Sequence, residues 1–317
     1  MVLLVPRWGP RIERCVMTMT ERQVAVPGGD LAVLDYGGSG PDVLLIHSAG
    51  HNAHTWIEVA PFLAQHAHVY AFDLRGHGQS SAEVTEGSMQ TSDDVVRLIE
   101  GLGLERPVVV AHEFGGMYAV AAAVECPAIS GLVLVDSAVV ETTDAVRDLV
   151  SMIADPMVLD LLEERFGLGR SGPDAASLAE YVDSYVERIR EDWMARTWDG
   201  EAARRLVLRG VVIAEDGSWA RRPTLQTVQD LAEIPSSYPY YPGRELMETL
   251  GCAIQVITLT SGHFAPADSV ADRAAANPTW QFVALDVDAE ALNTHPRLVA
   301  APIVAFLESL RSEAPST

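Results

Sequence analysis

Glu113 sits where an apolar run, Val108-Val109-Val110-Ala111-His112, gives way to the small-residue stretch that opens with Phe114-Gly115-Gly116. A strand that ends on a carboxylate and passes straight into a helix puts that carboxylate at the mouth of a sheet. There it could move a proton, attack carbon to form an ester, or anchor a donor group. Partial desolvation disfavours its charged form, so a raised pKa and a general base working near neutral pH are expected. Competing chemistries are removed by composition. All 22 basic residues are arginine. Without lysine there is no Schiff base, no pyridoxal phosphate anchor and no phosphate-loop lysine. The three cysteines (Cys15, Cys126, Cys252) are too few and too scattered for a zinc framework. Neither a metal nor another cofactor is expected.

The 44 acidic residues give a formal charge of −22. That argues against nucleic acid and against an anionic membrane surface, both of which attract cations. No apolar run reaches membrane-spanning length. With a hydrophobic content of 48% the chain has ample material for a core. The scattered cysteines suit a reducing cytoplasm. Residues 1–19 read as a disordered N-terminal arm.

From residue 20 the chain alternates short β-branched runs with amphipathic stretches, the pattern of an α/β fold with a mostly parallel sheet. Eight strands are predicted: Gln23–Val26, Leu31–Tyr36, Val43–His47, Val69–Phe72, Pro107–Ala111, Leu132–Asp136, Ile254–Leu259 and Gln281–Leu285. The first two read as a hairpin across Pro27-Gly28-Gly29-Asp30. Ser92 with Asp93 and Asp94 is expected to open a helix, Phe114–Val124 to form another, and Pro296–Leu310 to end the chain. The alternation breaks between the sixth and seventh strands. Residues 20–137 and 251–317 are therefore read as the core, and 138–250 as a helical cap. That cap holds more than half of the Trp and Tyr residues, which suits the lid of an aromatic pocket.

Three segments, in order, resemble the α/β-hydrolase superfamily. Val43-Leu44-Leu45-Ile46-His47-Ser48 with Trp56 is similar to its strand-3 loop, with Ser48 in place of the usual glycine. Asp73-Leu74-Arg75-Gly76-His77-Gly78-Gln79-Ser80 matches its D-x-R-G-x-G-x-S loop. Ala111-His112-Glu113-Phe114-Gly115 occupies its G-x-S-x-G elbow and keeps the small flanking residues, but carries Glu113 at the tip. The resemblance spans about residues 23–310. It implies an eight-stranded, mostly parallel sheet flanked by helices, with the cap inserted after strand 6.

The resemblance also implies a departure from the family's triad. Counting back from Pro296 places Ala289 where the histidine usually lies, and the usual acid position falls at Gly262-His263. No Ser–His–Asp hydrolase is implied, although the chain is similar to epoxide hydrolases and esterases. The backbone N–H groups of Phe114 and of Ser48 or Ala49 would form the oxyanion hole. His263, displaced onto the acid loop, is the partner expected for Glu113. His54 and Trp56 in the strand-3 loop and Tyr238, Tyr240 and Tyr241 in the cap are expected to line a substrate pocket. His77 and His112 are expected to be structural.

The function expected on these grounds is non-hydrolytic. Glu113 acts as general acid/base on a bulky, polyketide-like carbonyl substrate of bacterial secondary metabolism. Carbon–carbon bond formation (Michael or aldol-type addition, or cyclisation) or elimination would follow. Two alternatives stand beside it: an epoxide-hydrolase-like enzyme with Glu113 as nucleophile, and a ligand-binding pseudoenzyme. The partner expected is a small molecule, with a homodimer compatible.

Overall fold

The fold was analysed in a computed structural model, which describes residues 19–313 apart from 86, 88, 154, 192–199, 235–237, 239–240 and 265–269. The expected arm, but for Met19, and Tyr240 thus lie outside the described residues. Six strands come first: β1 (Thr20–Val26), β2 (Gly29–Gly38), β3 (Asp42–Ile46), β4 (His68–Phe72), β5 (Val108–His112) and β6 (Gly131–Val135). Helices α1 (Ala60–Leu63), α2 (Met89–Leu102) and α3 (Gly115–Glu125) fall between them. Every residue of β5 and β6 is buried. Strands covered on both faces need apolar side chains at each position, which is why these runs read as unbroken hydrophobic stretches rather than alternating ones.

After β6 the chain leaves the sheet. It forms α4 (Thr143–Ile153), α5 (Pro156–Phe166), β7 (Ser171–Gly172), α6 (Ala175–Glu191), α7 (Gly200–Arg209), β8 (Val211–Ile213), β9 (Trp219–Arg221), α8 (Leu225–Ala232) and α9 (Arg244–Met247). It returns through β10 (Ala253–Ser261), α10 (Val270–Ala276), β11 (Gln281–Asp288), α11 (Ala291–Thr294) and α12 (Pro296–Glu313). All eight predicted core strands form one sheet, in the order β1-β2-β4-β3-β5-β6-β10-β11. From β4 onward neighbouring strands are parallel, while β2 is antiparallel to both β1 and β4.

Two details depart from expectation. The excursion is not purely helical: β7, β9 and β8 make a small antiparallel sheet. The β-branched run Val211-Val212-Ile213 and a turn in which Gly217 takes a positive φ favour a hairpin there. Helix α2 starts at Met89, three residues before the expected cap at Ser92. Asp94 is spent on a tertiary ion pair with Arg75 rather than on the helix dipole.

Two apolar clusters lie on opposite faces of the sheet. One carries Val95 and Leu98 of α2 with Tyr118 of α3; the other carries Leu63 of α1 with Ile303 and Phe306 of α12. A third, smaller cluster joins α6 to α7. The cap is fastened to the core by polar contacts at one rim. Asn52 donates to the Leu206 carbonyl (2.8 Å), Gln79 to those of Arg209 and Val211, and Arg209 pairs with the buried Asp73 (2.8 Å). Among the described residues no helix is long and apolar enough to cross a membrane.

Candidate active site

Glu113 takes φ 47°, a left-handed conformation that a non-glycine residue adopts only when its surroundings hold it there. Its amide donates to the Val135 carbonyl (3.0 Å), and its carbonyl accepts from the Ser137 hydroxyl (2.5 Å) and the Gly116 amide (3.1 Å). The two glycines that follow are sterically required. A Cβ on Gly115 would lie 2.7 Å from the His47 carbonyl, and one on Gly116 would lie 2.2 Å from Ser137 Oγ. The sequence Glu-Phe-Gly-Gly therefore makes a sharp strand-to-helix turn and lifts the Glu113 side chain off the end of β5.

That side chain meets His263. Nδ1 of His263 lies 2.5 Å from Glu113 Oε1. The imidazole is brought there by the end of β10, whose following loop is clamped by Asp136. The Asp136 carboxylate accepts from the amides of His263 (2.7 Å) and Phe264 (3.2 Å). Asp136 itself has φ 46° at the carboxyl end of β6. Gly262 is needed for this approach, since a Cβ there would fall 2.2 Å from Asp136 Oδ1.

The electrostatics reverse one expectation. Burial pushes the Glu113 carboxyl up, but the imidazoles of His112 and of His263, the latter hydrogen-bonded to it, outweigh burial and hold it well below the usual carboxylate range. Burial depresses His112 and keeps it neutral, so the weight falls on His263. Burial pushes His263 down, yet the bond and charge of Glu113 raise it above its ordinary value. The pair thus rests as carboxylate and imidazolium at mildly acidic pH. Burial, reinforced by the Glu113 charge, pushes Asp136 up to about 6 despite its two amide donors.

Glu113, Asp136 and His263 also offer three ligand atoms within 4.8 Å of one another, the donor types a divalent cation takes. The Glu113–His263 bond engages two of these groups with each other, and the Asp136 oxygens accept from backbone amides.

A cavity of about 270 Å³ opens above the pair. Its floor holds Ser48, Ala49, Glu113, Phe114 and His263, and its walls come largely from apolar side chains of α4, α5 and α8. Ser48, Ala49 and Phe114, named for the oxyanion hole, thus line the same cavity as Glu113. His47 and His77 hold the strand-3 loop in place. Nε2 of His47 accepts from Leu74 and Nε2 of His77 from Gly50, and burial holds both rings neutral, with pKa values pushed down to about 3.

Several expected pocket residues are employed elsewhere. Trp56 is fully buried in the cluster beneath the sheet, with its ring against His112. His54 is turned to the Arg205 carbonyl (3.0 Å), joining the loop to the cap. Tyr241 lies under the Arg147 guanidinium, 4.2 Å from ring centre to Cζ. Tyr238 is half-buried and does not line the cavity. The cavity's aromatic walls are instead Phe114, Tyr118, Phe166 and Phe264.

A doubly wound sheet with a sharp turn after β5, a cap after β6 and a polar cluster at the carboxyl ends of the strands defines an α/β hydrolase. The family model described as alpha/beta hydrolase fold matches residues 41–208, and the chain belongs to that family. It is a family of enzymes, hydrolases for the most part. An uncharacterised protein of Mycobacterium bovis is 39% identical over 102 residues, which is 32% of this chain and 30% of that protein. The chain thus spans under a third of the length of the first curated relatives it matches. Lipase LipV of Mycobacterium tuberculosis is 27% identical over 246 residues, covering 75% of this chain and 92% of the lipase. Among solved structures, an E-2-(acetamidomethylene)succinate hydrolase superposes with a TM-score of 0.71 at 17% identity, over 92% of this chain and 100% of that one.

Proposed function

We propose that the protein is a cofactor-independent enzyme of carbonyl chemistry in which the Glu113–His263 pair, not a nucleophilic serine, does the catalytic work. The observation that carries this is the 2.5 Å contact between Glu113 Oε1 and His263 Nδ1 at the floor of an apolar cavity. A carboxylate on Nδ1 fixes the imidazole's tautomer and orientation and leaves Nε2 to exchange protons, the same division of labour as in the aspartate–histidine half of a triad. Glu113 was expected to be the base itself. Its lowered pKa makes it a weak one, so the base is His263 in its neutral form, with Glu113 orienting it and raising its basicity.

A substrate carbonyl held against the amides of Phe114 and of Ser48 or Ala49 would be polarised toward an enolate. His263 would take the adjacent C–H proton and return it to the product. Addition, cyclisation or elimination on a bulky substrate follows from such an enolate, and hydrolysis through an acyl-enzyme does not.

The test is proton exchange. Ketones such as 4-oxo-4-phenylbutyrate, incubated in D₂O, should exchange their α-protons faster with the protein than in buffer, read by ¹H NMR. Both Glu113→Gln and His263→Asn should remove the acceleration. Exchange no faster than in buffer across a panel of such ketones would end this reading.

A second reading is favoured by the lowered Glu113 pKa. An ionised carboxylate at the elbow is the form that attacks carbon, as the aspartate of similar epoxide hydrolases does. Single turnovers in H₂¹⁸O, followed by mass spectrometry of the Glu113 peptide, separate the two. Label in Glu113 marks an ester intermediate, and its absence supports the proton-transfer reading.

A further inference from the structure

His112 closes β5 directly before Glu113 and is 3% exposed, yet neither of its ring nitrogens has a hydrogen-bond partner among the described residues. A neutral imidazole donates at one nitrogen and accepts at the other, and leaving a buried polar group unmade is costly. The rings of Trp56 and His51 meet His112 edge to face, with centroids 6.2 and 6.3 Å away, so packing holds the imidazole without satisfying it. One nitrogen nevertheless has a direction. Nε2 lies 3.9 Å from Glu113 Oε1, too long for a hydrogen bond, and this is the same oxygen that His263 Nδ1 holds at 2.5 Å. Glu113 Oε1 therefore stands between two imidazoles, of which His263 lines the cavity and His112 does not.

The groups around His112 decide which form it takes. Burial, with the imidazole of His263 beside it, outweighs the Glu113 charge and keeps the ring neutral. His47 and His51 of the strand-3 loop lie near enough that a charge on His112 would oppose theirs. A neutral ring carries a single N–H, and a carboxylate draws that proton to the nitrogen facing it. In a buried site the N–H dipole acts on the carboxylate more strongly than it would in water. We propose that His112 is a positioning residue of the pair: as the Nε2–H tautomer it turns a second N–H dipole on Glu113 Oε1, which keeps the carboxylate ionised and leaves the pair's proton on His263. The same dipole competes with His263 for one oxygen, so His263 releases its proton and becomes the base at a lower pH than Glu113 alone would set. This rests on reading Glu113 and His263 as the proton-handling pair, but not on which substrate they serve.

Ring-nitrogen NMR of ¹⁵N-histidine-labelled protein tests it. In the wild type, His112 should stay neutral with its proton on Nε2 between about pH 5 and 8. His112→Phe removes the N–H but keeps an aromatic ring against Trp56 and His51. His263 should then titrate at a pH about 0.5 higher than in the wild type, the opposite direction to its fall in Glu113→Gln. His112→Gln, whose amide replaces the Nε2 donor, should bring it back to the wild-type value. A His112 with its proton on Nδ1, or a His263 that titrates in His112→Phe at or below the wild-type pH, would overturn the assignment. The tautomer is read on the wild type, so it decides the matter even where His112→Phe does not fold. An Nε2–H tautomer without α-proton exchange leaves His112 in its role and removes the proton chemistry. Exchange with an Nδ1–H tautomer does the reverse.

Discussion

Two of the molecule's ion pairs contrast in what surrounds them. Arg75 and Asp94 join the loop after β4 to helix α2 through two hydrogen bonds of 2.8 and 2.6 Å, while a third guanidinium nitrogen donates to the Glu83 carbonyl (2.7 Å). Protein encloses both side chains, at 2% and 1% exposure. Glu113 and His263 share a single bond, and His263 is 24% exposed and faces a cavity. The first pair has its geometry closed by partners on every side. The second lines a cavity, the one the proposed function assigns to the substrate. Desolvation is common to both, so burial alone does not mark a functional pair. An unclosed side on a cavity does.

The contrast can be broken first at the closed pair. Asp94→Ala strands a buried guanidinium and should cost about 3–5 kcal/mol in urea unfolding. Glu113→Gln keeps the shape and should cost no more than ~1 kcal/mol, with circular dichroism unchanged. If the two losses were reversed, Glu113 would be a folding residue. In catalysis the order inverts: Glu113→Gln should slow α-proton exchange by roughly 10²–10⁴-fold, the usual weight of general acid–base assistance. An intermediate effect belongs to Asp136, which holds the His263 loop by two amides. Asp136→Asn retains one acceptor, and losing one charge-assisted bond should cost ~1.5–3 kcal/mol in stability and slow exchange without abolishing it.

The smallest effect is in the pH dependence of stability. Glu113, with its pKa lowered, stabilises the fold above its ordinary value near 4.5, and that contribution is lost as pH falls toward its depressed pKa. His263, with its pKa raised, contributes fully below its ordinary value near 6.5 and loses that contribution as pH rises through the higher folded value. The pair's stabilisation should therefore be greatest between about 4.5 and 6.5. Glu113→Gln should flatten that part of the profile, as measured by thermal unfolding across buffers. An unchanged profile would mean that the pair carries no net charge coupling.

Sequence patterns were informative where one side chain type served one purpose. The central strands could be read because parallel strands covered on both faces need apolar residues at every position, and the β1–β2 hairpin because of its turn at Pro27-Gly28-Gly29-Asp30. Glu113 was legible because it follows directly on such an apolar run, and His263 because it lies on the loop after another. Asp94 misled because its helix-opening chemistry is overridden by a tertiary contact with Arg75, and Ser92 falls inside α2 rather than at its start. Trp56, His54 and Tyr241 lie close to the site along the chain, but their side chains point into a core, a cap joint and a cation–π contact. Nothing in one-dimensional spacing records that direction. Asp136 was read only as the end of a strand. Its place at the carboxyl end of β6, where doubly wound sheets gather their ligands, was the signal that could have found it.

The claim that underlies all of this is that Glu113 controls the protonation of His263. It can be measured without knowing the substrate, by following the His263 ring nitrogens in ¹⁵N-histidine-labelled protein through a pH titration. The wild-type imidazole should titrate above its ordinary value of 6.5, and in Glu113→Gln it should fall to that value or below as burial is left unopposed. A His263 that titrates at the same pH in both proteins would contradict the account.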